Sequence, residues 1–341
     1  MDEPNVKEDT SDRTGLPLPA NPTISDVAER AGVSRAVASR ALSDEQRPVS
    51  AEKKARVLQA ARELGFRPNL LARSLTTKSV NLVAVVVNHI HDLSDLDLFD
   101  PLLAAVQATG KQVIFIRVGS SDRVESFLRT GVAYHVDAAI VFSDFADAAT
   151  ARTLFRSDQV LMLNGRHDQS SPAVIPDEGV GIREAVAHAA SRGVRSAALV
   201  TGRPTSALEQ ARIRLYHAAL TAHGIRLTTT LQGDYSYASG RQAGATLAAG
   251  ARPNAVFCTS DAMAMGVLDR LRAEFPDGRP TATRLYGFDN LSLTDFDAYP
   301  ISSIGYDKQA YVDAVIAVLT GRATGPWPLT LPTRFHPRLT G

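Results

Sequence analysis

The sequence predicts an all-α helix-turn-helix headpiece followed by a larger α/β body of two lobes. Three observations carry that reading. Two short helical patterns meet at a single glycine near the N-terminus, short apolar strands alternate with helical segments after about residue 80, and a net positive charge is found only in the first of these regions.

The headpiece begins with TISDVAERAGVSRAVASRAL at 23 to 42. Thr23 and Asp26 have capping-box spacing, in which the hydroxyl accepts from the third helical amide while the carboxylate reaches back to the capping residue's own amide. Ile24, Val27, Ala28 and Ala31 then recur at helical spacing, and Gly32 falls where a left-handed residue ends a helix. Ser34 supplies the next N-cap. The helix from Arg35 to Leu42 should turn Val37 and Ala41 inward, leaving Arg35, Ala36, Ser39 and Arg40 outward. A second helix with a polar outer face is what a helix-turn-helix places in the DNA major groove; a plain pair of amphipathic core helices has the same apolar period. Ser50 is expected to cap a third helix, with Val57, Leu58, Ala61 and Leu64 apolar and Gly65 closing it before Arg67 and Pro68.

Charge follows the same division. Residues 21 to 78 hold eleven Lys and Arg against six Asp and Glu, a net of +5, whereas the whole chain is only +1. The first 20 residues are net −3, which leaves the body near −1. A basic headpiece on a nearly neutral chain suits a domain whose affinity draws on counterion release from phosphate.

In the body, LVAVVV at 82 to 87, QVIFIRV at 112 to 118, DAAIVF at 137 to 142 and QVLML at 159 to 163 read as buried parallel strands. Helical segments near 98 to 109, 122 to 130 and 147 to 156 separate them. A second set follows, with strands at 196 to 202, 255 to 258 and 284 to 289 and helices near 180 to 191, 206 to 223, 238 to 249 and 261 to 273. Two facing α/β lobes place a small-molecule site in the cleft between them, beyond the carboxyl ends of their strands.

Several function classes lose support at this stage. No apolar stretch approaches 18 residues, so no membrane partner is expected, and the acidic start MDEPNVKEDTSDRTG has no secretory pattern. The single cysteine, Cys258, excludes an internal disulfide framework, and a cytoplasmic chain associated with the nucleoid is expected. Residues 1 to 20 read as a disordered tail. No G-x-S-x-G elbow or G-x-x-x-x-G-K loop is present, so the chain does not read as an enzyme and no cofactor is expected. His89 and His91 have no third ligand nearby, and the Asp92, Asp95, Asp97, Asp100 run lacks the glycine and glutamate of a calcium loop. No metal is expected.

The string Asp26-Val27-Ala28, Ala31-Gly32-Val33-Ser34, Ser39-Arg40, Val49-Ser50, Gly65-Phe66-Arg67-Pro68-Asn69 and Ala72-Arg73-Ser74-Leu75 closely resembles the DNA-binding headpiece and hinge of the lactose-repressor (LacI/GalR) family. Weaker likeness runs to about residue 339. The resemblance implies a headpiece over 21 to 67, a hinge helix and linker over 68 to 79, and a two-lobed periplasmic-binding-protein-like body over 80 to 341. Its first lobe would comprise about 80 to 175 with 303 to 327, and its second about 176 to 302 with the C-terminal segment; a late helix at about 307 to 320 would return to the first lobe.

The same resemblance implies a homodimer on a palindromic double-stranded operator, controlled by a small-molecule effector such as a sugar. DNA contacts would come from Thr23, Ser34, Arg35, Ala36, Ser39 and Arg40, and from Asn69, Ala72, Arg73 and Leu75 in the hinge. The effector would be met by Arg212, Asp289, Ser260, Asp261 and Asp177, with Phe99 as the stacking aromatic. Asp261 could instead serve its helix dipole, and Arg212 could be a solvated helix arginine. The alternatives are a DNA-bound regulator without a working ligand site, or a sugar-binding protein with a vestigial headpiece.

Overall fold

The computed structural model describes residues 22–42, 49–67, 80–87, 93–118, 136–142, 147–155, 157–163, 170–250, 253–274 and 283–341. They fall in two compact units, Met1–Val80 and Asn81–Gly341.

In the first unit α1 (Ile24–Arg30), α2 (Arg35–Leu42) and α3 (Ala51–Leu64) enclose one small core of Val27, Ala28, Ala31, Ala38, Ala41, Val57, Ala60 and Ala61. Both halves of the capping box are formed: the Thr23 amide donates to Asp26 Oδ2 at 2.6 Å, and the Asp26 amide donates to Thr23 Oγ1 at 3.4 Å. The backbone hydrogen bond from Thr23 holds the Asp26 carboxyl below its usual range. Gly32 has φ +63°, which lets the chain reverse at once into α2. Two inward assignments change. Ala38 is buried where Val37 was expected and Val37 is half-buried, while Leu58 on α3 is exposed, because alanine lets three short helices approach closely around one point. Ser50 occupies the N-cap of α3 but makes no side-chain cap bond.

The second unit holds two sheets. The first runs β2 (Gln112–Arg117), β1 (Leu82–Val87), β3 (Ala138–Phe142), β4 (Val160–Met162), all parallel. The expectation that all four strands are buried fails for β2, an edge strand whose Phe115 is 39% exposed. The helix α4 (Leu93–Ala108) starts five residues ahead of its expected position and takes in Asp97 and Asp100, with Pro101 inside it. Next come α5 (Ala148–Phe155) and β5 (Val174–Asp177). The expected helix at 122 to 130 lies outside the described residues.

The second sheet has the order β12 (Arg334–His336), β10 (Ser302–Gly305), β9 (Arg284–Phe288), β8 (Ala255–Cys258), β6 (Ser196–Thr201), β7 (Arg226–Gln232), parallel except for β12. It is flanked by α6 (Glu178–Ser191), α7 (Ala207–Ala222), α8 (Tyr237–Ala249) and α9 (Asp261–Ala273). The helix α10 (Lys308–Leu319) leaves this sheet and buries Tyr311, Val312, Val315, Ile316 and Leu319 in the core of the first, beside Val83, Val85 and Leu102. The chain then returns along β11 (Leu329–Pro332), which pairs in parallel with β5.

Candidate nucleic-acid interface and effector site

The outer face of α2 carries Arg35, Ala36, Ser39 and Arg40, all exposed. Ser34 Oγ accepts from the Val37 amide at 3.3 Å, which pins the N-terminal turn of α2. Arg40 Nε donates to Ala36 O at 3.2 Å. Thr23 is exposed, with its hydroxyl 2.8 Å from Asp26 Oδ2. Asn69, Ala72, Arg73 and Leu75 lie outside the described residues.

In the body, β6, β8 and β9 end side by side, and the residues just beyond them form a polar floor. Arg212 on α7 stands at its centre and is only 7% exposed, which removes the reading of a solvated helix arginine. Its Nε donates to Glu178 Oε2 at 2.9 Å, its Nη2 to Glu178 Oε1 at 2.6 Å and its Nη1 to Thr259 O at 2.9 Å. Nη1 also faces Glu209 Oε2 at 3.6 Å, and the guanidinium lies 3.9 Å over the Phe288 ring. Among the described residues three of its five N–H donors are hydrogen-bonded, and Nη2 keeps one N–H with no hydrogen-bond partner.

Glu209 is fully buried and accepts from the Gly202 amide at 2.6 Å, Thr259 Oγ1 at 2.7 Å and Tyr235 OH at 3.0 Å. The sequence pointed to neither glutamate. The signal available was spacing: Glu209 lies three residues before Arg212 on one helix face, and Glu178 follows the N-cap of α6.

Ser260 caps α9, accepting from the Met263 amide at 3.2 Å. Asp261 is fully buried and accepts from the Leu291 amide at 2.9 Å and Ser303 Oγ at 2.7 Å; burial nevertheless pushes its carboxyl up to about 7. Asp177 is exposed and caps α6 through the Gly179 amide at 3.0 Å. Phe99 lies in the first-sheet core, with Phe115 and Phe142 packed edge-on at 5.4 and 5.1 Å, which leaves little ring for a ligand. His89 and His91 fall outside the described residues, among which no three metal-ligating side chains converge.

Asp289 differs from all of these. Among the described residues nothing hydrogen-bonds to its carboxylate, part of it is open, and its φ is +102°, followed by Asn290 at +47°. Burial pushes the carboxyl well above its usual range against the pull of Arg212. Two successive non-glycine residues at positive φ cost about 1–3 kcal/mol each and persist only where the surroundings over-determine them. Those surroundings are present. The Asp289 amide donates to Ile304 O at 2.7 Å, the Asn290 amide to Ser303 Oγ at 3.0 Å, Lys308 Nζ to Asn290 O at 2.9 Å and Arg338 Nη2 to Asn290 Oδ1 at 2.8 Å. Gly305 leaves room for the turn, since a Cβ there would fall on that of Asn290.

Comparison with known proteins agrees with both halves of this description. The family model for bacterial regulatory proteins of the lacI family matches residues 23–69, and that for the periplasmic binding protein-like domain matches 186–340. The regulator AscG of Escherichia coli K12 is 30% identical over 309 residues, covering 87% of this chain and 90% of the relative. The regulator CelR of Thermobifida fusca is 29% identical, covering 94% and 98%. A lac repressor dimer solved with operator and the anti-inducer ONPF superposes with a TM-score of 0.79 at 24% identity, covering 94% of this chain and 99% of that one. A CelR–cellobiose complex gives 0.64 over 94% of this chain. With the headpiece model matched from Thr23 onward and a relative at 30% identity along nearly its whole length, the chain belongs to the LacI family of bacterial transcriptional regulators.

Proposed function

We propose that this regulator binds a palindromic operator as a homodimer, reading bases with the outer face of α2, and that a neutral, hydroxyl-bearing effector seated on the Asp289 floor controls operator affinity. One observation carries the effector assignment. Every other carboxylate on the floor is already engaged, whereas the Asp289 carboxylate is held in a strained turn with nothing bonded to it among the described residues. An acceptor kept in this way suits a ligand hydroxyl, and the free N–H on Arg212 Nη2 suits the neighbouring oxygen. Arg212 is thus chiefly a rigid platform, with one donor left for ligand. Ser260, Asp261 and Asp177 support the floor from helix N-termini.

The relatives' ligands point the same way: one solved relative holds cellobiose, and the lac repressor is solved with the operator. Operator titrations with and without a panel of mono- and disaccharides test the proposal on the parent and on Asp289→Asn. The expected result is a sugar that shifts operator affinity of the parent and not of the variant. Equal responses in both would remove Asp289 from the site.

A further inference from the structure

The turn that carries Asp289 is gripped from the other lobe. Asp97, on the second turn of α4, accepts from the Ser292 amide at 2.7 Å through Oδ2 and from Ser292 Oγ at 2.9 Å through Oδ1. Lys308, the first residue of α10, donates to Asn290 O at 2.9 Å and braces Asp97 Oδ2 at 3.1 Å. Both helices have their cores in the first lobe, while Asn290 and Ser292 follow β9 of the second. Leu93, one helical turn before Asp97 on the same face, packs against the second lobe's core.

We propose that Asp97 and Lys308 form an interlobe latch that holds the two lobes together and keeps the Asp289–Asn290 turn in its strained shape, so that Asp97 is a positioning residue for the effector. Lys308 is the shared part: its ammonium joins the backbone of the effector turn to the helix that bears Asp97. A change in the turn is felt directly by α4, and a loosening of α4 releases the turn. The latch is weak enough to open, because Asp97 and Lys308 both keep 21% of their side-chain surface in water, where ion pairs are screened. Three charge-assisted bonds across one seam are nevertheless enough to bias two near-balanced arrangements.

The assignment of an effector to this floor is the reading given above; the existence of the latch is independent of it. The test uses the full chain without DNA or effector. Spin labels on cysteines placed at exposed Thr153 on α5 and exposed Thr246 on α8 report lobe separation, and fully buried Cys258 stays unreactive. Asp97→Ala and Lys308→Gln should each broaden the distance distribution toward longer separations and speed hydrogen exchange of the 288–296 segment. Asp97→Asn, which keeps an acceptor for Ser292 and loses the charge, should fall between. In a second arm, any sugar found to bind the parent should bind Asp97→Ala on the order of five- to tenfold more weakly. Distances and exchange in Asp97→Ala identical to the parent would overturn the latch. Broadened distances with a sugar response that survives Asp289→Asn would instead leave the latch standing and defeat the effector assignment.

Discussion

Arg212 and Glu178 meet edge to edge inside the second lobe, with both carboxylate oxygens on the guanidinium at 2.9 and 2.6 Å and neither side chain more than 9% exposed. The pair fixes the start of α6 to the middle of α7 directly beneath the cleft. Burial opposes the Arg212 charge, yet Glu178, Glu209 and Asp289 together hold its pKa well above the ordinary value.

Breaking that pair should cost more in folding than in binding. Arg212→Ala leaves two buried carboxylates uncompensated, and a loss of about 3–5 kcal/mol is expected in urea unfolding. Arg212→Lys should recover only part, since an ammonium cannot take both oxygens of Glu178 while reaching Thr259 O. A parent-like midpoint for Arg212→Ala would mean that the pair contributes nothing.

Asp261 sets a pH dependence. Its folded pKa, about 7 against 3.8 for the ordinary group, means that the native state binds the extra proton more tightly, so its contribution is full below about pH 4 and is lost as pH rises through 7. Asp289 shifts in the same direction. Asp261→Asn should therefore flatten the fall in stability between about pH 4 and 7, by up to a few kcal/mol. Parallel curves for parent and variant would show that Asp261 is not the group responsible.

Gly305→Ala should act on the effector turn without touching a ligand. The added Cβ collides with Asn290 and comes within 3.0 Å of the Asp289 carbonyl oxygen, so the turn must shift. Operator affinity without effector should be unchanged and the effector response weakened at least tenfold, read from operator titrations. An undiminished response would mean that the strained shape of Asp289 is irrelevant to binding.

On the DNA side, Arg35→Ala should cost about 1–3 kcal/mol of operator affinity and relax discrimination at one base pair per half-site, as a guanidinium reading guanine O6 and N7 would. A loss equal on all operator variants would make it a phosphate contact. If Leu75 is the wedge that the family resemblance implies, Leu75→Ala should reduce operator bending and weaken specific more than non-specific binding, measured by gel-shift phasing.

Helix caps and continuous apolar strands could be read from sequence because they are local. Thr23 with Asp26, Ser34 before α2 and LVAVVV for β1 declare themselves within a few residues. The strand β7, RLTTTLQ, was missed because an edge strand alternates threonine with leucine and has no apolar run. The strands β5, β10, β11 and β12 were missed because each has only three or four residues and owes its existence to distant partners. The site divided in the same way. Asp289 was legible as an acid after a strand, but its strain, the Glu178 partner of Arg212 and the core position of Phe99 depend on residues far apart in sequence.

The parallel ribbon of β5 and β11 bears on how the lobes can move. Its pairs run from Leu329 with Val174, seated in the first lobe's core, to Pro332 with Asp177, beyond which Thr333 donates from its amide to Asp177 O at 3.0 Å and accepts through Oγ1 from the Gly181 amide at 3.0 Å in the second. Together with the passage from β10 into α10, this gives three chain crossings between the lobes, two of them stitched to each other. A stitched pair cannot slide, because a one-residue slip would turn Leu329 and Leu331 out of the core and Thr330 in. The two stitched crossings therefore keep one register, and the backbone joins the lobes only where it crosses between them, at β5, at β11 and between β10 and α10.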